Sequence, residues 1–208
     1  MTTRLLPANP PSAFVAAIAS GTDNGRAIRV AAVLLVTALT AAAAQISVPL
    51  PFTPVPLTLQ PMIVLLGGVA LGSSLGMSSQ ILYLALGVIG LPVFAASPLL
   101  PQGLLRLFGP TGGYLLSYPV AAFLAGWLAE RGLDRRYLGS VVAMAAGLAV
   151  IYLGGIAGLL VFAPGVHAAG FAAILAAAVY PFLALDIVKL FVAAGVMPGL
   201  WKLTGLRR

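Results

Sequence analysis

The stretch AAGFAAILAAAVYPFLALDIVKLFVAAGVMPGLWKL, Ala168 to Leu203, decides the fold. Its only charged residues are Asp186, Lys189 and Lys202. One bilayer crossing takes about 20 apolar residues, so the tract is too long for a single spanning helix. Pro181 lies inside it, where proline removes a backbone donor and clashes with the preceding turn. The tract therefore divides into a short outer segment, Ala168 to Tyr180, and a spanning helix from Phe182 to about Leu203.

Five further apolar stretches precede it: Ile28 to Ile46, Leu57 to Gly72, Leu75 to Leu91, Gly113 to Ala129 and Leu138 to Phe162. The second and third are short and tightly joined. Together the six stretches predict an all-α integral membrane protein. Residues 1–25 read as a polar cytoplasmic tail and 26–208 as a single six-helix transmembrane domain. Composition agrees, with 61% of the 208 residues apolar and 7% charged. A soluble domain carries about 25% charged residues.

Charge sets the orientation. Arg4, Arg26, Arg29, Arg131, Arg135, Arg136, Lys202, Arg207 and Arg208 fall on one side of the six spans, and Arg106 alone on the other. Cations accumulate on the cytoplasmic side, which places both termini there. The net charge of +7 thus reports topology, and no nucleic-acid partner is expected. With no cysteine and one histidine, His167, disulfides, thiol nucleophiles and zinc clusters are excluded. The chain has no GxxxxGK[ST] phosphate loop, no GxSxG elbow and no paired carboxylates, so no enzyme, metal or cofactor is expected. Glycines four apart, Gly68 with Gly72 and Gly76, Gly154 with Gly158, and Gly195 with Gly199, read as close helix contacts.

Asp186 and Lys189 are the most informative residues. Ionised groups at bilayer depth persist only when paired, solvated or used, and at i, i+3 these two share a helix face. They are either a ligand site, the lysine meeting a carboxylate or carbonyl and the aspartate accepting N–H groups, or an ion pair that fixes packing. The first outer loop, Val48 to Pro56, holds four prolines and no charge, so it is stiff and extended, a lid or a rigid connector, with Gln60 just beyond it. The loop from Pro92 to Gly112 carries Gln102 and Arg106 and ends in a glycine-rich turn into Tyr114.

The strings VPLTLQ (Val55–Gln60), LYLALGVIGLPVF (Leu82–Phe94), GPTGGYLLSYPVAAFLAGWLAER (Gly109–Arg131) and YPFLALDIVK (Tyr180–Lys189) resemble the BioY family, the biotin-specific substrate-binding subunits (S components) of energy-coupling factor transporters. The resemblance covers nearly all of the chain after Arg26. It implies a six-helix S-component fold in the cell membrane of a prokaryote, with an outward pocket roofed by the first loop. It also implies a transmembrane coupling protein and ATPase subunits as partners. Small residues on the first helix form the coupling contact in S components, which points to Ala38 and Ala42 here. For biotin the implied contacts are Asp186 to the ureido nitrogens, Lys189 or Arg106 to the carbonyl or carboxylate, Gln60 and Gln102 as donors and acceptors, and Tyr83 and Tyr114 as walls. The loop Ala95 to Leu107 is less rich in glycine than the family pattern. An S component for thiamin or riboflavin, and a self-sufficient carrier driven by an ion gradient with Asp186 as its proton site, are the alternative readings.

Overall fold

The computed structural model describes residues 13–97, 101–168 and 170–205. Arg4, Arg207 and Arg208, used above for topology, and the first twelve residues of the expected tail lie outside the described residues. The protein is mostly helical. After a short helix α1 (Phe14–Ser20) come α2 (Gly25–Gln45), α3 (Gln60–Leu71), α4 (Ser73–Val88), α5 (Gly112–Ala129) and α6 (Tyr137–Phe162). The chain closes with α7 (Pro164–Ala168), α8 (Phe171–Ala178), α9 (Tyr180–Ala194) and α10 (Val196–Thr204). Among the described residues α2, α5, α6 and the tract Phe171–Thr204 are long and apolar enough to cross a membrane. At about 1.5 Å per residue, α3 and α4 fall short of a hydrocarbon core of about 30 Å.

Three expectations change. First, the fold is not purely helical: Ser47–Val48 (β1) pairs antiparallel with Leu57–Thr58 (β2), closing the base of the proline loop. Second, the expected polar tail contains α1, whose Phe14, Val15 and Ala19 are buried. The run AFVAAIA is apolar enough to pack, and the Phe14 ring meets Trp201 edge-on at 5.1 Å. Third, the last span is two helices. Pro181 does fall at the start of α9, as expected, but a second break follows at Gly195. Pro198 near the start of α10 supplies no N–H and crowds the carbonyl four residues back, so α9 cannot run on.

Helix α5 is the most buried of the long helices and packs against α3, α4 and α6. Glycine makes those contacts close. A Cβ at Gly68 of α3 would lie 2.5 Å from the Ala122 carbonyl oxygen, and one at Gly158 of α6 would lie 2.7 Å from the Gly113 nitrogen. Between α3 and α4 the chain turns at Gly72 with φ +87°, a conformation that disfavours any side chain. There the Glu130 carboxylate accepts the Ser73 N–H at 2.8 Å and the Ser73 hydroxyl at 2.9 Å. A carboxylate at a helix N-terminus satisfies an orphan donor and opposes the positive end of the dipole. Gly195 and Gly199 differ from the other pairs: a Cβ at Gly199 would meet open space.

At the end of the bundle where α5 gives way to α6, Trp201 Nε1 donates to Asp134 Oδ2 at 2.5 Å, and the Arg135 guanidinium lies 4.7 Å from the Trp201 ring. Burial pushes the Asp134 carboxyl up to about 6, against the opposing pull of the Trp201 N–H and of Arg135.

Two outcomes follow for thermal unfolding in detergent. Gly158→Ala forces α5 and α6 apart and costs about 1–3 kcal/mol, the range for overpacking. Gly199→Ala gains about 0.5–1 kcal/mol from helix propensity alone. Because the folded protein holds the Asp134 proton more tightly than the unfolded chain, the contribution of this group weakens as the pH rises through about 6. Asp134→Asn keeps an oxygen for Trp201 without the buried charge. Its melting temperature relative to the wild type is therefore highest above pH 6, and the advantage closes as the pH falls towards 4.

Candidate ligand-binding site

A cleft of about 580 Å³, mouth included, opens at the end of the bundle away from Trp201. One wall is the loop from Val55 to Thr58 with Gln60; the others come from Arg106 and Thr111, from Tyr114 and Tyr118 of α5, from Ile151 and Tyr152 of α6, and from Phe182 and Asp186 of α9. Apolar side chains alternate with a few convergent polar groups.

Asp186 sits on the first turns of α9 because the chain breaks at Val179 and restarts with Pro181 in the opening turn, where its missing N–H costs nothing. Its carboxylate is 6% exposed and engaged on both oxygens. Oδ1 accepts from Lys189 Nζ at 2.9 Å, and Oδ2 accepts from the Tyr152 hydroxyl at 2.8 Å. Lys189 Nζ also donates to the Thr58 carbonyl at 2.8 Å, which fastens β2, and with it the proline loop, to α9. In the middle of that loop the Thr53 hydroxyl donates to the Ala177 carbonyl at 2.8 Å. The loop is a roof held at two points.

The remaining polar groups are oriented by neighbours. Gln60 Nε2 donates to the Tyr83 hydroxyl at 2.7 Å, and Tyr83 in turn donates to the Val93 carbonyl at 3.1 Å. Arg106 is almost wholly buried and donates to the carbonyls of Pro101 and Ala95. Burial lowers its pKa from the ordinary guanidinium value. The Tyr114 hydroxyl donates to the Ala178 carbonyl at 2.6 Å, tying α5 to the end of α8. The buried Thr111 hydroxyl borders the cleft and has no hydrogen-bond partner among the described residues.

The BioY family model matches residues 15–205. The chain belongs to the BioY family. It is 43% identical to the "Probable biotin transporter BioY" of Pyrococcus horikoshii, over 79% of this chain and 90% of that one. It is 39% identical to the "Biotin transporter BioY" of Thermotoga maritima, over 80% and 92%. In fold it resembles a crystal structure, at 2.1 Å, of the S-component for biotin from an ECF-type ABC transporter, with a TM-score of 0.76 and 24% identity over 87% of this chain and 94% of that one.

In this BioY chain the cleft gathers four of the seven residues expected at the site: Gln60, Arg106, Tyr114 and Asp186. The other three do not border it. Tyr83 stands behind Gln60 as its hydrogen-bond partner. Lys189 lies behind Asp186, on the side of a second, smaller cavity bordered by Pro61 and Met62. Gln102 is exposed, because the short turn of helix from Leu104 to Phe108 rotates Arg106 inwards and leaves Gln102 outside. Ala38 and Ala42 are exposed on α2, one turn apart and clear of the cleft. Tyr152, Thr111 and Thr58 were not anticipated. The signal for Tyr152 was present: it is the only hydroxyl-bearing residue between Val141 and Phe162.

Removing one member of a buried ion pair strands the other charge, at a typical cost of about 3–5 kcal/mol, whereas replacing both is far milder. Lys189→Met is therefore expected to lower the detergent melting temperature sharply, and adding Asp186→Asn to recover most of the loss.

Proposed function

We propose that this chain is a biotin-binding S component of an energy-coupling factor uptake system. Its relatives are named as biotin transporters, not as enzymes, and the cleft has the chemistry that biotin needs. Biotin offers ureido N–H donors, a carbonyl acceptor, an apolar ring system and a carboxylate on an aliphatic tail. Asp186 accepts a ureido N–H. Gln60 and the unpartnered Thr111 hydroxyl serve the remaining polar edge, Tyr114 and Phe182 cover the rings, and Arg106 meets the carboxylate. Lys189 and Tyr83 act one layer back, holding Asp186 and Gln60 in place. Gln102 takes no part in this arrangement. The observation that carries the reading is a buried carboxylate, fixed by two donors, at the wall of a closed-roofed apolar cleft in a BioY chain.

In the same reading the chain is a single transmembrane unit, residues 26–208, in the plasma membrane of a prokaryote. It crosses six times, on α2, α3, α4, α5, α6 and the α9–α10 pair, and both termini are cytoplasmic. The charge count supports this, because Arg26, Arg29, Arg131, Arg135, Arg136 and Lys202 share the side opposite Arg106. The short α3 and α4 cross where the bilayer thins locally. The cleft then faces outwards. Transport energy comes from a transmembrane coupling protein with ATPase subunits, and the exposed small residues Ala38 and Ala42 of α2 supply the contact.

Equilibrium binding of biotin to the detergent-solubilised protein, after any co-purified ligand is removed, tests the proposal. Tight saturable binding is expected. Asp186→Asn is expected to weaken it by at least tenfold, the worth of one hydrogen bond to a charged group, about 1.5–3 kcal/mol. A folded wild type that binds thiamin or riboflavin but not biotin overturns the assignment.

A further inference from the structure

Tyr152 shares the cleft wall with Asp186, and its hydroxyl lies 2.8 Å from Asp186 Oδ2. An ionised carboxylate only accepts hydrogen bonds, so the single proton of that hydroxyl is committed to Asp186. The Tyr152 oxygen has only lone pairs left to offer any other group. The second carboxylate oxygen is occupied in the same way by Lys189, from behind the cleft. This part of the wall therefore presents two adjacent acceptor oxygens and no donor. Without the Tyr152 proton, Oδ2 would be free to rotate, and nothing on the cleft side would fix the plane of the carboxylate.

We infer that Tyr152 is a positioning residue that sets the specificity of the site: it locks the Asp186 carboxylate and makes this wall a pure acceptor surface, selective for ligand N–H donors. The inference rests on the biotin reading, in which those donors are the ureido nitrogens. Removal of the hydroxyl alone leaves the ring in the wall but lets Oδ2 turn away.

The test is equilibrium binding of biotin, and of two analogues each methylated on one ureido nitrogen, to the wild type, Tyr152→Phe and Tyr137→Phe. Wild-type protein is expected to prefer biotin to at least one analogue by about a hundredfold. In Tyr152→Phe biotin should weaken by about ten- to a hundredfold and that preference should collapse to within a few fold. Tyr137→Phe loses only a bond to the Phe191 carbonyl and lies outside the cleft, so its preference should stay at the wild-type level. If Tyr152→Phe does not survive purification, Tyr152→Met, which also lacks the hydroxyl, should show the same collapse of the preference. Unchanged biotin binding in Tyr152→Phe, or an equal loss for biotin and both analogues, overturns the inference while the biotin assignment stands. Failure of the wild type to bind biotin overturns both.

Discussion

The architecture turns on the enclosure of two opposite charges, Asp186 and Lys189, in an apolar bundle. Neither is more than 8% exposed, and a charge so placed is tolerated only with a partner and with its remaining hydrogen-bonding capacity filled. Three segments meet that demand at once. Helix α9 supplies both charges, α6 supplies the Tyr152 hydroxyl, and β2 supplies the Thr58 carbonyl. The solvation of one ion pair thereby fixes the roof of the cleft, one wall and the start of α9 relative to one another.

The rest of the bundle can be understood as what lets those three segments meet. Glycines at the α3–α5 and α5–α6 contacts bring backbones together, so α5 sits as a central post with little side-chain bulk around it. Towards one end that post carries small residues and packs tightly. Towards the other it carries Tyr114 and Tyr118, which border the cleft, while Gly113 beside them still meets Gly154 and Gly158 of α6 backbone to backbone.

The far end of the molecule is closed by a different device. Trp201 of α10 is fully buried between Phe14 and Asp134, which ties the two termini of the described chain to the link between α5 and α6.

Much of this was legible in the sequence, because the membrane imposes strict rules on composition. The long apolar stretches, the break at Pro181, the intramembrane pair at i, i+3 and the family strings are all local patterns, and the family they pointed to is the one the chain belongs to. Local pattern also named Gln60, Arg106, Tyr114 and Asp186, which border the cleft. It failed where the outcome depends on rotation about a helix axis or on contacts distant in the chain. Whether Gln102 or Arg106 turns inwards is decided by one short helical turn, and whether Lys189 faces the cleft or stands behind Asp186 depends on the position of Thr58, 131 residues away. The Tyr152 hydroxyl reaches Asp186 only because α6 lies beside α9, and α1 is buried because Trp201 receives Phe14 while Val15 packs with Val36 and Leu71. The sequence by itself determined that the chain is a helical membrane protein with a charged pair where lipid would forbid one. Tertiary structure alone decided which side chains satisfy that pair, since hydrogen bonds act over about 3 Å and only the packed bundle sets distances on that scale.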